Sequence, residues 1–159
     1  MLAYYRKTSN LALFFMNLLV QRVFRVNGKT NWMVHYTSQV IAPQKIQIGR
    51  NVERSFARSG NCYIQGLNGI IMEDNVLFAP GVKIISSNHG FENHKEIVHA
   101  DPIHIGENTW IGANSILLPG VQIGKNCIVG AGSVVTKSFD NNSIIAGNPA
   151  KVIKMKPND

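Results

Sequence analysis

IHIGENTWIGANSILLPGVQIGKNCIVGAGSVVTKS, residues 103–138, decides the fold. Its aliphatic residues Ile105, Ile111, Leu117, Ile123, Val129 and Val135 recur every six residues, a step that suits neither a helix of about 3.6 residues per turn nor a strand alternating in twos. Two residues ahead of each stands a small or branched side chain: Ile103, Thr109, Ser115, Val121, Cys127 and Ser133. Gly follows at 106, 112, 124 and 130, and Asn at 108, 114 and 126. Each six-residue unit therefore supplies a short strand with alternate residues facing inward, then a corner where Gly and Asn tolerate positive φ. Three units close a triangular turn of roughly eighteen residues, so residues 103–120 and 121–138 form successive coils, with like positions stacked about 4.8 Å apart. The predicted fold class is an all-β solenoid.

Working outward, IIMEDNVLFAPGVKI (70–84) aligns with IHIGENTWIGANSIL (103–117), and IQIGRNV (46–52) opens the series. Between Val52 and Ile64 the period is poor, and Arg54 and Arg58 fall on core-phase positions, which predicts a distorted coil or an arginine-bearing surface there. Ile105 lies 33 residues beyond Met72 (105 − 72), which is not a multiple of six. A loop of about residues 86–102 is therefore pushed out of the coil.

The 14 Gly and 8% aromatics agree with many tight turns around an aliphatic interior. Net charge is +7, and the first acidic residue is Glu53. Arg6, Lys7, Arg22, Arg25, Lys29, Lys45 and Arg50 are thus unopposed, while the remaining nine Lys and Arg balance the nine Asp and Glu. This basic segment suits an anionic membrane surface, an acidic glycan or a phosphorylated ligand. No aromatic-interleaved or recognition-helix pattern accompanies it, so no nucleic-acid partner is predicted. Cys62 and Cys127 make no disulfide framework, which predicts reduced thiols and a cytoplasmic chain.

The apolar run LALFFMNLLV (11–20) is too short to span a bilayer and no small-residue cleavage site follows it. It predicts an amphipathic helix over about residues 3–26, apolar on Leu11, Phe14, Phe15, Leu18, Leu19 and Val23. That face would dock on the end of the solenoid or on a neighbouring subunit, or lie at the inner face of a membrane. The predicted organisation is a helical segment (1–30), a solenoid (31–146) interrupted by the loop 86–102, and a cap or tail (147–159).

Loops that leave a rigid scaffold without structural need tend to carry chemistry. This one, SSNHGFENHKEIVHADP, holds His89, His94 and His99. His104 occupies the repeat position of Gln47 and Gln122 and is expected to point to water.

The runs IGENTWIGANSILLPGVQIG, IVGAGSVVTK and IIAGNPAKVIK, with the Asn-His pair of the loop, closely resemble the left-handed parallel β-helix acetyltransferases, which include galactoside, maltose, serine and antibiotic O-acetyltransferases. The resemblance covers residues 46–154. It implies left-handed coils, a homotrimer with active sites between subunits, acetyl-CoA as acyl donor and no metal. His89 matches the family's general base, which takes the proton of an acceptor hydroxyl; imidazole titrates close enough to neutrality for that task. Its second ring nitrogen needs a partner, for which a backbone carbonyl or Glu92 is the candidate. Family members often place an oxyanion asparagine in a stretch like Ala-Pro-Asn, whereas this chain has Ala79, Pro80 and Gly81; the Gly81 N–H or the Asn88 amide would substitute. By the same correspondence Trp110 borders the coenzyme A thiol, Gly112, Ala113 and Ala131 present backbone to the pantetheine arm, and Lys137 and Lys151 lie near the adenosine phosphates. Gly147 to Lys151 ends the solenoid.

The basic apolar start resembles the short acetyltransferases of surface-polysaccharide and lipopolysaccharide assembly, which implies a saccharide hydroxyl as acceptor. An amino-sugar nitrogen and a hydroxylated antibiotic are the other acceptors. Two other classes share the fold: a γ-carbonic-anhydrase-like zinc enzyme, to which the five-residue spacing of His89, His94 and His99 points, and a non-catalytic scaffold.

Overall fold

The computed structural model describes residues 11–157. Successive strands feed three sheets in rotation, and within the coil each strand pairs in parallel with its counterpart in a neighbouring circuit. The first sheet runs β1 (Gln39–Ile41), β3 (Tyr63–Gln65), β6 (Lys83–Ile85), β9 (Ile116–Leu117) and β12 (Val134–Val135). The second runs β2 (Ile46–Ile48), β4 (Ile70–Met72), β7 (Ile103–Ile105) and β10 (Gln122–Ile123). The third holds β5 (Leu77–Phe78), β8 (Trp110–Ile111), β11 (Ile128–Val129), β13 (Ser143–Gly147) and β14 (Ala150–Met155).

The six-residue step explains the strands. Ile64, Ile84, Ile103, Ile105, Ile111, Leu117, Ile123, Val129 and Val135 are fully buried in one aliphatic core, and side chains of this kind are each worth about 1.5–3 kcal/mol when taken from water. Corner residues Asn75, Asn108, Asn114 and Asn126 adopt φ of 57 to 58°, the left-handed conformation that Asn tolerates and branched residues avoid.

Register measures the departures from the period. Gln122 pairs with His104, a circuit of 18 residues (122 − 104). Ile70 pairs with Ile103, a circuit of 33 (103 − 70), so 15 extra residues leave the coil between β6 and β7. Ile46 pairs with Ile70, a circuit of 24 (70 − 46). Its surplus is a short helix, α2 (Glu53–Arg58), in the place of a third-sheet strand. Helix α2 buries Ser55, Phe56 and Ala57, with Phe56 edge-on to Phe78 at 4.9 Å, and leaves Arg54 and Arg58 exposed. The irregular coil predicted from the two arginines is thus a helix that turns both to solvent.

The N-terminal helix α1 (Leu11–Arg22) does not dock its apolar face on the end of the coil, the first of the placements expected for it. Its buried side chains are Asn17 and Gln21, while Leu11, Phe15, Met16, Leu18 and Leu19 are exposed. The Asn17 amide donates to the Ala57 carbonyl at 2.9 Å and accepts from the Tyr36 N–H at 2.9 Å. The Gln21 amide donates to the Thr30 hydroxyl at 2.7 Å and the Trp32 carbonyl at 2.9 Å, and accepts from the Val34 N–H at 3.1 Å. The end of the coil offers unpaired backbone groups rather than an apolar floor, and two amides four residues apart satisfy them. The predicted start of this helix, residues 3–10, lies outside the described residues. Among the described residues no helix is long and apolar enough to cross a membrane.

At the other end, β14 turns back antiparallel on β13 through Asn148 and Pro149.

Candidate active site

The loop 86–102 leaves the corner between the first and second sheets, and side chains of the coil hold both of its ends. Ser86 and Ser87 are buried. The Ser86 N–H donates to the Gln65 carbonyl at 3.0 Å and the Ser87 N–H to the Gln65 side-chain oxygen at 3.0 Å. The Ser86 hydroxyl accepts from the Asn68 N–H at 3.0 Å. On the return, the Asn68 amide donates to the Val98 carbonyl at 2.8 Å, and the Gln122 amide to the Pro102 carbonyl at 2.9 Å. Within the loop, Gly90 N–H bonds Glu96 C=O at 3.0 Å and Val98 N–H bonds Asn88 C=O at 2.9 Å, so His89 and Ile97 face each other across an antiparallel bridge.

These bonds present His89 at the base of the loop, exposed. Asn88 is exposed beside it, and its carbonyl is engaged while its side-chain amide makes no hydrogen bond among the described residues. Glu92 is also exposed and makes no bond to the His89 ring. His94 and His99 are exposed on the same loop. Among the described residues no three His, Cys, Asp or Glu side chains converge so as to hold a metal ion.

The Gly81 N–H, expected as an oxyanion donor, is engaged within the coil. It donates to the Gly60 carbonyl at 2.9 Å, and the Gly81 φ is +76°. A side chain at this corner would run into the Asn114 amide of the next circuit, so glycine is what the stack admits there. Of the two substitutes considered for the oxyanion asparagine, Asn88 alone keeps a free donor.

The residues assigned to coenzyme A lie elsewhere on the prism. Trp110 projects outward from the third sheet, half exposed, in register with Leu77 and Ile128. It borders a recess of about 520 Å³ lined also by Arg54, Arg58, Leu77 and Pro80. Ala113 and Ala131 stand at the corner between the third and first sheets, linked through the Gly132 N–H, which donates to the Ala113 carbonyl at 2.8 Å. Ala131 is exposed, and nothing lies within 4 Å of where a Gly132 side chain would begin. Gly112 behaves differently. It is buried, its N–H is bonded to the Val129 carbonyl at 2.8 Å, and a Cβ there would meet the Ala131 nitrogen at 2.6 Å. The packing of the next coil requires a glycine there. Lys137 is exposed, with its ammonium 5.7 Å from the Phe139 ring centre, and Lys151 is exposed on β14. One chain therefore does not gather the site: His89 leaves the corner between the first and second sheets, while Trp110, Ala113 and Ala131 belong to the third sheet and the corner beyond it.

His104 faces outward from β7, as its repeat position implies, and meets a carboxylate there. Its Nε2 lies 3.2 Å from the Glu73 carboxylate, which also faces Lys125 at 3.6 Å. The Glu107 N–H donates to Glu73 at 3.0 Å and, with Lys125 and His104, holds that carboxyl below the usual range. Burial pushes the Cys62 and Cys127 thiols up, which keeps them in the unreactive protonated form.

Sequence reasoning missed the clamps Gln65, Asn68 and Gln122. Each faces outward in its repeat, and only the register reveals that a carboxamide there reaches loop backbone.

Comparison with known proteins agrees with this geometry. A family model described as bacterial transferase hexapeptide (six repeats) matches residues 102–137. The galactoside O-acetyltransferase of Escherichia coli strain K12 is 34% identical over 143 residues, covering 86% of this chain and 66% of that protein. A maltose O-acetyltransferase of Clostridium difficile 630 aligns with a TM-score of 0.66 and 27% identity over 99% of this chain and 89% of its own. A galactoside acetyltransferase in complex with coenzyme A aligns with a TM-score of 0.69 and 28% identity over 97% and 82%. The chain spans 66%, 55% and 61% of the lengths of three curated relatives. Six-residue period, rotation through three parallel sheets and relatives together make the chain similar to the hexapeptide-repeat acetyltransferases.

Proposed function

We propose that this chain transfers an acetyl group from acetyl-CoA to a hydroxyl of a sugar, with His89 as general base, in a homotrimer of left-handed β-helices whose sites lie between subunits. The observation that carries the reading is the placement of His89: an exposed imidazole held outside a rigid coil by Gln65, Asn68 and Gln122. Nothing in the stacking of the coil needs such a loop. The separation of His89 from Trp110, Ala113 and Ala131 on one chain supports a site completed by a second copy.

Acetyl-CoA supplies the acetyl group as an activated thioester. Trp110 and the small residues Ala113, Ala131 and Gly132 suit the wall for an extended ligand, because no side chain stands in its way there; Lys137 and Lys151 supply cations for its phosphates. His89 accepts the proton of the acceptor hydroxyl through a ring nitrogen as that oxygen bonds to the acetyl carbonyl carbon, and it returns the proton to the sulfur when the carbon–sulfur bond breaks. The Asn88 amide donates to the carbonyl oxygen as charge gathers there.

The test is an acceptor screen with free coenzyme A as readout, covering nucleotide sugars, oligosaccharide repeats, amino sugars and chloramphenicol. Release that depends on a saccharide hydroxyl is the expected result. Release with none of them, from protein that binds acetyl-CoA, would overturn the sugar reading.

A further inference from the structure

Helix α1 is seated on the coil by its polar seam, and the side chains it leaves outside are apolar. Leu11, Phe15, Met16, Leu18 and Leu19 are between 38% and 60% exposed, and the turns that follow expose Val23 and Phe24 at 66% and 67%. Taking large apolar side chains from water is favourable wherever a cover exists. The coil itself cannot supply the cover, because Asn17 and Gln21 already occupy that side. Cations lie at the C-terminal edge of the apolar face. Arg22, Arg25 and Lys29, with Gln21 and Gly28, line a recess of about 380 Å³. None of the three cations pairs with a carboxylate among the described residues, and the first 52 residues of the chain contain no Asp or Glu.

We propose that this face is a docking surface for an anionic lipid bilayer. Phe15, Leu19, Val23 and Phe24 enter the boundary between headgroups and acyl chains, and lipid phosphates lie against Arg22, Arg25 and Lys29. Charge selects this occupant over a second copy of the chain. An apolar face beside unopposed cations matches a surface that is apolar at depth and negative above, whereas two copies meeting through it would bring their basic segments together. The polar seam seats the helix on the end of the coil, so that end of the solenoid rests on the bilayer. The inference is independent of the acyl-transfer reading.

Co-sedimentation of the full chain with vesicles tests it, using phosphatidylcholine alone and phosphatidylcholine mixed with phosphatidylglycerol. Binding to the mixed vesicles that weakens as salt rises, with little binding to phosphatidylcholine alone, is expected. Arg22→Gln with Lys29→Gln should weaken binding by more than about tenfold, given the usual worth of a basic residue near such a surface. Phe15→Ser with Leu19→Ser should abolish it, while the oligomer mass in analytical ultracentrifugation stays as in the parent. Absence of wild-type binding to the anionic vesicles overturns the proposal. So does loss of the oligomer in the Phe15→Ser, Leu19→Ser protein, which would make the face an interface between copies.

Discussion

Replacing Gln65 by leucine tests how the coil holds its loop. The side-chain oxygen of Gln65 accepts the Ser87 N–H at 3.0 Å, and Ser87 is 5% exposed. Leucine matches the bulk of glutamine but accepts nothing, so a nearly buried N–H loses its partner at a cost of about 1–3 kcal/mol. The bond from Ser86 N–H to the Gln65 backbone carbonyl survives the change, as does the Asn68 bond to Val98. The penalty therefore falls on opening of the loop base, whose open population rises roughly 5- to 150-fold. Amide exchange of Ser87, Gly90 and Val98 should accelerate by that factor, while Gly106, bonded to Ile123 within the coil at 2.8 Å, keeps its protection. Turnover should fall by about tenfold or more, because small misplacement of a catalytic group is expensive, and acetyl-CoA affinity should hold. Gln65→Glu retains an acceptor oxygen and should restore both slow exchange and turnover. Unchanged exchange at Ser87 with unchanged turnover in the leucine protein would refute the reasoning.

Gly112→Ala should destabilise the protein by about 1–3 kcal/mol in urea unfolding, since the new Cβ meets backbone of the next coil at 2.6 and 2.8 Å; a variant as stable as its parent would show that the glycine is kept for a ligand instead. The Glu73 carboxyl is held below the ordinary 4.5, first by the Glu107 N–H, so its contribution is complete above the unfolded value and is lost as pH falls through the lower folded one. Acid titration followed by circular dichroism should show a shallower acid limb for Glu73→Gln, and an identical limb would count against that bond.

The winding of the chain was legible because one chemical demand repeats: an inward aliphatic residue every sixth position, then a corner that Asn or Gly can turn. Even the loop was legible, as the remainder of 33 residues against a circuit of 18. The orientation of α1 was not. A pattern of apolar residues says that a face wants cover, but not which cover, and nothing in it shows that the open backbone at the end of the coil takes Asn17 and Gln21 as partners. Arg54 and Arg58 marked a broken coil, yet a helix as short as α2 has too few residues for a helical period to emerge. The loop with no packing role marked where chemistry was to be sought, and the resemblance singled out His89 and Asn88 within it. The engagement of the Gly81 N–H was hidden, because its acceptor is Gly60 of the preceding circuit, a neighbour that only the register identifies.

The central claim is that the His89 imidazole removes the acceptor proton, and turnover of His89→Ala measured beside its acetyl-CoA affinity tests it most directly. A fall in turnover of about 10² to 10⁴ with affinity nearly intact is the predicted result. Turnover equal to that of the parent would contradict the account and assign the proton transfer to another group.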